Sequence, residues 1–144
     1  MSNAYPKHDE DFYGWTKGQI QLLKQNKLKE IDVNYLIEEL EDMGSSNENQ
    51  LVSRLGVLIA HLLKWQFQPG GQCRSWSGTI KEQRFRIQRL LKKNPSLKTQ
   101  LNEAYQDGFK DSQNIIEKET PIELEKLPKT CPYSIEQLLT DEFY

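Results

Sequence analysis

Residues Leu51–Trp65, LVSRLGVLIAHLLKW, are the longest run in the 144-residue chain with the composition of an interior helix. Leu51, Leu55, Leu58 and Leu62 recur at the spacing of one helical face. Ser53, Gly56 and Ala60 give a second side of small residues, where another helix can approach closely. Arg54 and His61 stand seven residues apart, two turns of helix, so they project from the same flank beside Trp65. The run is shorter than the ~20 residues a membrane span needs, and it carries Arg54, His61 and Lys64. It therefore reads as the central core helix of a bundle, and no membrane is expected as a partner.

Length and composition agree with one globular unit over residues 1–144, since 144 residues suffice for one substantial core and hardly for two. Charged residues make up 28% and apolar ones 36%, with a formal net charge of −2, so nothing global favours a polyanion. Cys73 and Cys131 stand far apart without a zinc-ligand spacing, and no metal or other cofactor is expected. The first residues have no signal-peptide pattern, which points to the cytoplasm and to reduced thiols.

Working outward, Gly44 predicts the C-terminus of a preceding acidic helix, YLIEELEDM, with Asn34 as its N-cap. Ser45 and Glu48 then predict a capping box that opens the central helix. Upstream, Phe12, Trp15, Gln19, Leu22 and Leu23 predict a helix from Asp11 to about Asn26–Lys27, preceded by a loose segment over 1–10. Downstream, Pro69-Gly70-Gly71 is a break, and a helix starts near Ser75 and ends at Asn94-Pro95. Asn94 and Pro95 in turn predict the cap and first turn of the next helix. Pro121, Pro128 and Pro132 impose an extended stretch, and Ser134 with Gln137 predicts a capping box on a short last helix. The class is all-α: a bundle of four longer helices, a short acidic helix, and an extended proline-containing C-terminal segment ending in a short helix.

Polar residues on apolar faces are the informative ones. After the PGG break, Trp76, Ile80, Ile87 and Leu91 form a stripe with Arg84 on one edge and Gln83 on the other. A buried guanidinium needs acceptors, and Glu39, beside Met43 on the acidic helix, is the preferred partner. Glu39, Arg54, His61, Gln83 and Arg84 are thus expected to form one buried polar cluster, which sets helix register more readily than it makes an active site. Arg86, Arg89 and Lys93 point outward from the basic stretch 74–98 and form a candidate basic surface.

Catalytic patterns are sparse. Residue 58 is Leu, so His61 lacks the Glu-x-x-His spacing of a di-metal bundle, and His8 falls in the segment expected to be loose. No G-x-S-x-G turn and no phosphate-cradling glycine loop occurs. Arg54 and His61, enclosing six residues, resemble the Arg-x(4–6)-His motif of HEPN-type helical ribonucleases, in which such a pair acts on the scissile phosphate at a dimer interface. The polar residue that often follows the motif's arginine is absent, since residue 55 is Leu, and seven residues spread the pair over ~10 Å of helix axis. The favoured expectation is a non-enzymatic binding or regulatory module acting through a protein partner or self-association. A metal-independent ribonuclease using Arg54 and His61, and weak nucleic-acid binding through the basic stretch 74–98, are the alternatives.

Several segments in order, DFYGW, NYLIEELEDMG, SRLGVLIAHLLKWQFQP, RSWSGTIKEQRFRIQRLLKKNPSL and CPYSIEQLL, resemble one bacterial family, the domain of unknown function numbered twenty-nine. The resemblance runs from about Asp11 to Phe143 and takes in Glu38, Glu39, His61, Lys64, Trp65, Trp76, Gln83 and Arg84. The PGGQC segment, with Cys73, fits the family's usual basic loop less closely. The resemblance implies a small all-helical cytosolic bacterial protein and transfers no catalytic role to any residue.

Overall fold

The computed structural model describes residues 5–144. Helices α1 (Phe12–Lys24), α2 (Val33–Phe67), α3 (Arg74–Lys93), α4 (Leu101–Glu119) and α5 (Ile135–Leu139) account for most of them, and no strand occurs among the described residues. The class is all-α, with four long helices and a short terminal one.

Several boundaries differ from the sequence expectation. The acidic segment is not a separate helix, because α2 runs unbroken for 35 residues through Gly44 and Ser45. No described glycine has a positive φ, so Gly44 does not act as a left-handed stop. A glycine inside a helix costs about 1 kcal/mol relative to alanine. Stopping and restarting would instead leave two further sets of unpaired N–H and C=O groups to be capped. Asn34 is likewise not the N-cap: the helix starts at Val33, and the Leu36 N–H bonds to the Asp32 carbonyl. Packing, unlike the backbone ladder, does change near Gly44. The chain divides into two compact units, one ending at Gly44 and the other beginning at Ser45.

In the C-terminal unit, Leu51, Leu55, Leu58, Ile59, Leu62 and Leu63 of α2 are fully buried in a core shared with Ile80 and Ile87 of α3, Ile116 of α4 and Leu138 of α5. Each such side chain contributes about 1.5–3 kcal/mol relative to exposure, before chain entropy is set against it. The small-residue side of α2 meets α4: a Cβ on Gly108 would lie 2.9 Å from Leu55 Cβ and 3.2 Å from the Gly56 nitrogen. Only glycines permit that approach. Between α3 and α4 the chain makes a 3-10 segment, Pro95–Gln100, in place of the capped helix start expected at Asn94. The Asn94 amide turns back instead, and its Nδ2 donates to the Leu90 carbonyl at 3.0 Å. The C-terminal segment is tied down by side chains of the core helices. The Tyr105 hydroxyl donates to the Tyr133 carbonyl at 2.5 Å, and the Tyr133 hydroxyl donates to Gln66 Oε1 at 2.7 Å. The capping box of α5 forms between Ser134 and Gln137.

In the N-terminal unit, Asp11 caps α1 by accepting from the Gly14 N–H. The start of α2 is stapled to α1 through Asp32. Its Oδ2 accepts from Trp15 Nε1 at 2.6 Å, and its N–H donates to Gln19 Oε1 at 2.8 Å. The buried Gln19 on the apolar stripe of α1 is explained by that bond.

Candidate functional site

Up to Gly44 the chain buries little apolar surface. Among the described residues of that unit, Trp15 and Leu22 are the hydrophobic side chains that are buried. Ten of the fourteen large hydrophobic side chains left exposed among the described residues lie in the same unit, so the imbalance is local. Between α1 and the N-terminal part of α2 these residues line a groove of about 290 Å³ whose facing atoms are nearly all carbon. Phe12, Ile20 and Leu23 form one wall, and Leu36, Leu40 and Met43 the other, with Trp15 at the base. Leu40 and Met43 are 64% and 65% exposed, so this apolar side of α2 is a surface in this unit rather than a core. Contiguous exposed apolar surface of this kind is uncommon on a soluble protein. Glu39 lies in the lining, and the unit carries nine acidic residues against five lysines.

His8 packs among the aromatic side chains of this unit. Tyr5–Glu10 fall within the described residues, while Met1–Ala4 lie outside them. His8 does not belong to a loose tail: its ring stacks on Tyr35 at 4.0 Å and meets Trp15 and Phe12 edge-on at 4.7 and 5.4 Å. Its Nδ1 lies 2.7 Å from Asp9 Oδ1, and its Nε2 3.4 Å from Glu39 Oε2. The Asp9 hydrogen bond, with help from Glu39, raises the His8 pKa above its ordinary 6.5, and the same bond lowers that of Asp9. The sequence does hold a signal for this: His8, Phe12, Trp15, Gln19 and Leu22 continue one helical spacing backward past the start of α1.

The five residues expected to form one cluster divide into separate sets. Glu39 pairs with His8. Arg84, only 1% exposed, donates from Nε to the Leu138 carbonyl at 2.8 Å and from Nη1 to the Asp141 carbonyl at 3.3 Å. The preferred Glu39–Arg84 pair is therefore replaced by an arginine holding the end of α5, where free carbonyls and the helix dipole favour a cation. Gln88 assists, its Nε2 donating to the Leu139 carbonyl and to Asp141 Oδ1 at 2.7 and 2.8 Å. Burial lowers the Arg84 pKa from its ordinary value and Asp141 partly opposes that. A helical wheel of α3 contains no information about the C-terminal segment, so it cannot identify these acceptors.

Arg54 and Gln83 do come together, with Arg54 Nη1 donating to Gln83 Oε1 at 3.2 Å. His61 sits apart from them, in a cleft lined by Val57, Ile115, Lys118 and Glu119. Its Nδ1 donates to the Val57 carbonyl at 2.9 Å, and burial pushes its pKa below 6.5, so the ring is neutral at pH 7. Arg54 lines other clefts, one of which shares Val57 with that of His61, and among the described residues no hydrogen bond joins the two residues of the ribonuclease-like pattern. Lys64, also on α2, is buried with its Nζ 3.3 Å from Glu119 Oε2 and 5.8 Å from the Trp76 ring centre. Arg86, Arg89 and Lys93 of α3 are exposed, and with Arg54, Asn47 and Gln50 of α2 they line a polar cleft of about 350 Å³. Among the described residues no group of three or more His, Cys, Asp or Glu is placed to hold a metal ion, and no helix is long and apolar enough to cross a membrane.

No curated protein and no solved structure matches the chain. One family model does, over residues 8–144. That span takes in His8, the apolar groove, Arg84 with its carbonyl partners and the clefts lined by Arg54 and His61, and the chain belongs to the family described as domain of unknown function DUF29.

Proposed function

We propose that the protein is a binding module, and that the groove between α1 and the N-terminal part of α2 receives an amphipathic helix with basic flanks from a partner protein. The observation that carries this reading is the groove itself, six apolar side chains at helical spacing left open around Trp15. A groove of this form suits the recognition of apolar anchors at i, i+3, i+4 and i+7 on an incoming helix. Charge selects the occupant. The unit has a formal excess of four negative charges, with Glu39 in the lining, so a basic helix is attracted. A second copy of the same face would bring like charges together.

A fluorescent 18-residue peptide of leucines and lysines at amphipathic helical spacing is the probe, with a proline-interrupted peptide of the same composition as its comparison. The reading predicts saturable binding of the helical peptide and a loss of at least about tenfold with the interrupted one, since an interior proline breaks the helix. Equal binding of both would overturn recognition of a helix. Sedimentation showing a concentration-dependent dimer that competes with the peptide would assign the groove to self-association instead.

A further inference from the structure

The polar cleft between α2 and α3 belongs wholly to the C-terminal unit and is independent of the groove. Four cationic side chains line it, Arg54, Arg86, Arg89 and Lys93, and no carboxylate does. Like charges around a space of about 350 Å³ repel unless something of opposite sign sits among them. Internal partners do little to compensate. Arg54 rests on two neutral amides, Gln50 Oε1 at 3.4 Å and Gln83 Oε1 at 3.2 Å, so its hydrogen bonds orient the guanidinium without neutralising it. Among the described residues Arg89 and Lys93 have no ion pair or side-chain hydrogen bond. Arg86 has one exposed pair, from its Nε to Glu82 Oε1 at 3.0 Å, of a kind that holds a charge weakly. The nearby end of α3 offers little competition, because the Leu90 carbonyl already accepts from both the backbone N–H and the side-chain amide of Asn94.

We propose that this cleft binds the phosphate groups of a compact polyanion, a di- or triphosphate. Guanidinium forks match phosphate oxygens in pairs, and three arginines with one lysine supply enough donors for more than one phosphate. The lining contains no aromatic ring on which a base would stack, and Leu90 is its apolar member. The four cations converge on one half-open cleft of about 350 Å³, room for a compact anion, and do not run along a track of the kind an extended nucleic-acid backbone requires.

Calorimetric titration of the full chain with inorganic tripolyphosphate tests this, alongside ATP and a short single-stranded RNA. The expected result is 1:1 binding of tripolyphosphate tighter than about 1 mM, weakened by added salt. In the double variant Arg89→Gln with Lys93→Gln the affinity falls about tenfold or more, the scale of losing charged hydrogen bonds. The pair Lys110→Gln with Lys126→Gln, two exposed lysines outside the cleft, removes the same charge and leaves binding unchanged. Binding of ATP as tightly as tripolyphosphate identifies a nucleotide's phosphates as sufficient, whereas tripolyphosphate alone identifies the free anion; either supports the site. Absence of tripolyphosphate binding, binding of RNA alone, or equal weakening by the two variant pairs would overturn it.

Discussion

Replacing Gly44 with alanine separates two readings of the acidic segment by the sign of the effect. If Gly44 closed a helix in the left-handed region, alanine would be strained there and stability would fall by about 1 kcal/mol or more. In the structure Gly44 lies inside α2, has no positive φ, and a Cβ built on it meets no atom within 4 Å. The substitution therefore has no steric cost and gains the alanine–glycine difference in helix propensity, about 0.8–1 kcal/mol. Part of that gain is lost if the unfolded chain is already partly helical, so a net stabilisation of about 0.5–1 kcal/mol is expected. For a chain of this length it raises the melting temperature of the transition containing α2 by roughly 2–4 °C. Far-UV circular dichroism during thermal unfolding gives the shift, and amide exchange over residues 40–48 gives its location. Slower exchange there is expected in the variant. A lower melting temperature with faster exchange at those amides would refute the continuous helix.

At Gly108 the same substitution has the opposite outcome. The new Cβ would meet Leu55 Cβ at 2.9 Å and two backbone atoms at 3.2 and 3.3 Å, and overpacking of about 1–3 kcal/mol exceeds the propensity gain. Gly108→Ala should thus lower stability in denaturant titration by about 1–2 kcal/mol, and an unchanged midpoint would contradict the close α2–α4 approach. For His8, the pKa is raised in the folded chain, so its contribution to stability is fully present below the ordinary 6.5 and is lost as pH rises through the folded value. An NMR titration should place its midpoint above 6.5 and move it down in Asp9→Asn; a midpoint at or below 6.5 would contradict the Asp9 contact. Gln88→Ala removes the two bonds to Leu139 and Asp141 while leaving Arg84 in place, and should speed amide exchange in α5 with little effect on α2. Uniform slowing or no change would deny it a role in holding the C-terminal helix.

Helical periodicity made much of this fold legible. Leu51, Leu55, Leu58 and Leu62 are buried along one face of α2, and Gly56 meets Gly108 on the small-residue side, as residue spacing alone implied. Periodicity finds a face but not what covers it. Leu36, Leu40 and Met43 mark one apolar side of the acidic segment, and that spacing alone does not show that in this unit they line an open groove. The Gly44-Ser45 pair carries good local stop and start signals, which an unbroken hydrogen-bond ladder overrides. Arg84 illustrates the limit from the other direction. Its burial edge was visible from Ile80 and Ile87, but its acceptors, the Leu138 and Asp141 carbonyls, lie more than fifty residues away and carry no side-chain signature. The grouping of Arg54 with Arg86, Arg89 and Lys93 depended on how α2 and α3 pair, which no single helical wheel contains.

The central claim is that apolar anchoring in the α1–α2 groove, rather than charge alone, holds a basic amphipathic helix. Anisotropy titration of the leucine–lysine peptide against the full chain and against Leu40→Glu with Met43→Glu tests it most directly. Both residues are exposed and glutamate is a good helix former, so α2 keeps its structure. The two added negative charges strengthen any purely electrostatic attraction to the peptide while removing two anchors, each worth about 1 kcal/mol or more at the centre of an interface. The account predicts that the peptide binds the variant at least tenfold more weakly, on the order of the two anchors together. Equal or tighter binding by the variant would contradict it.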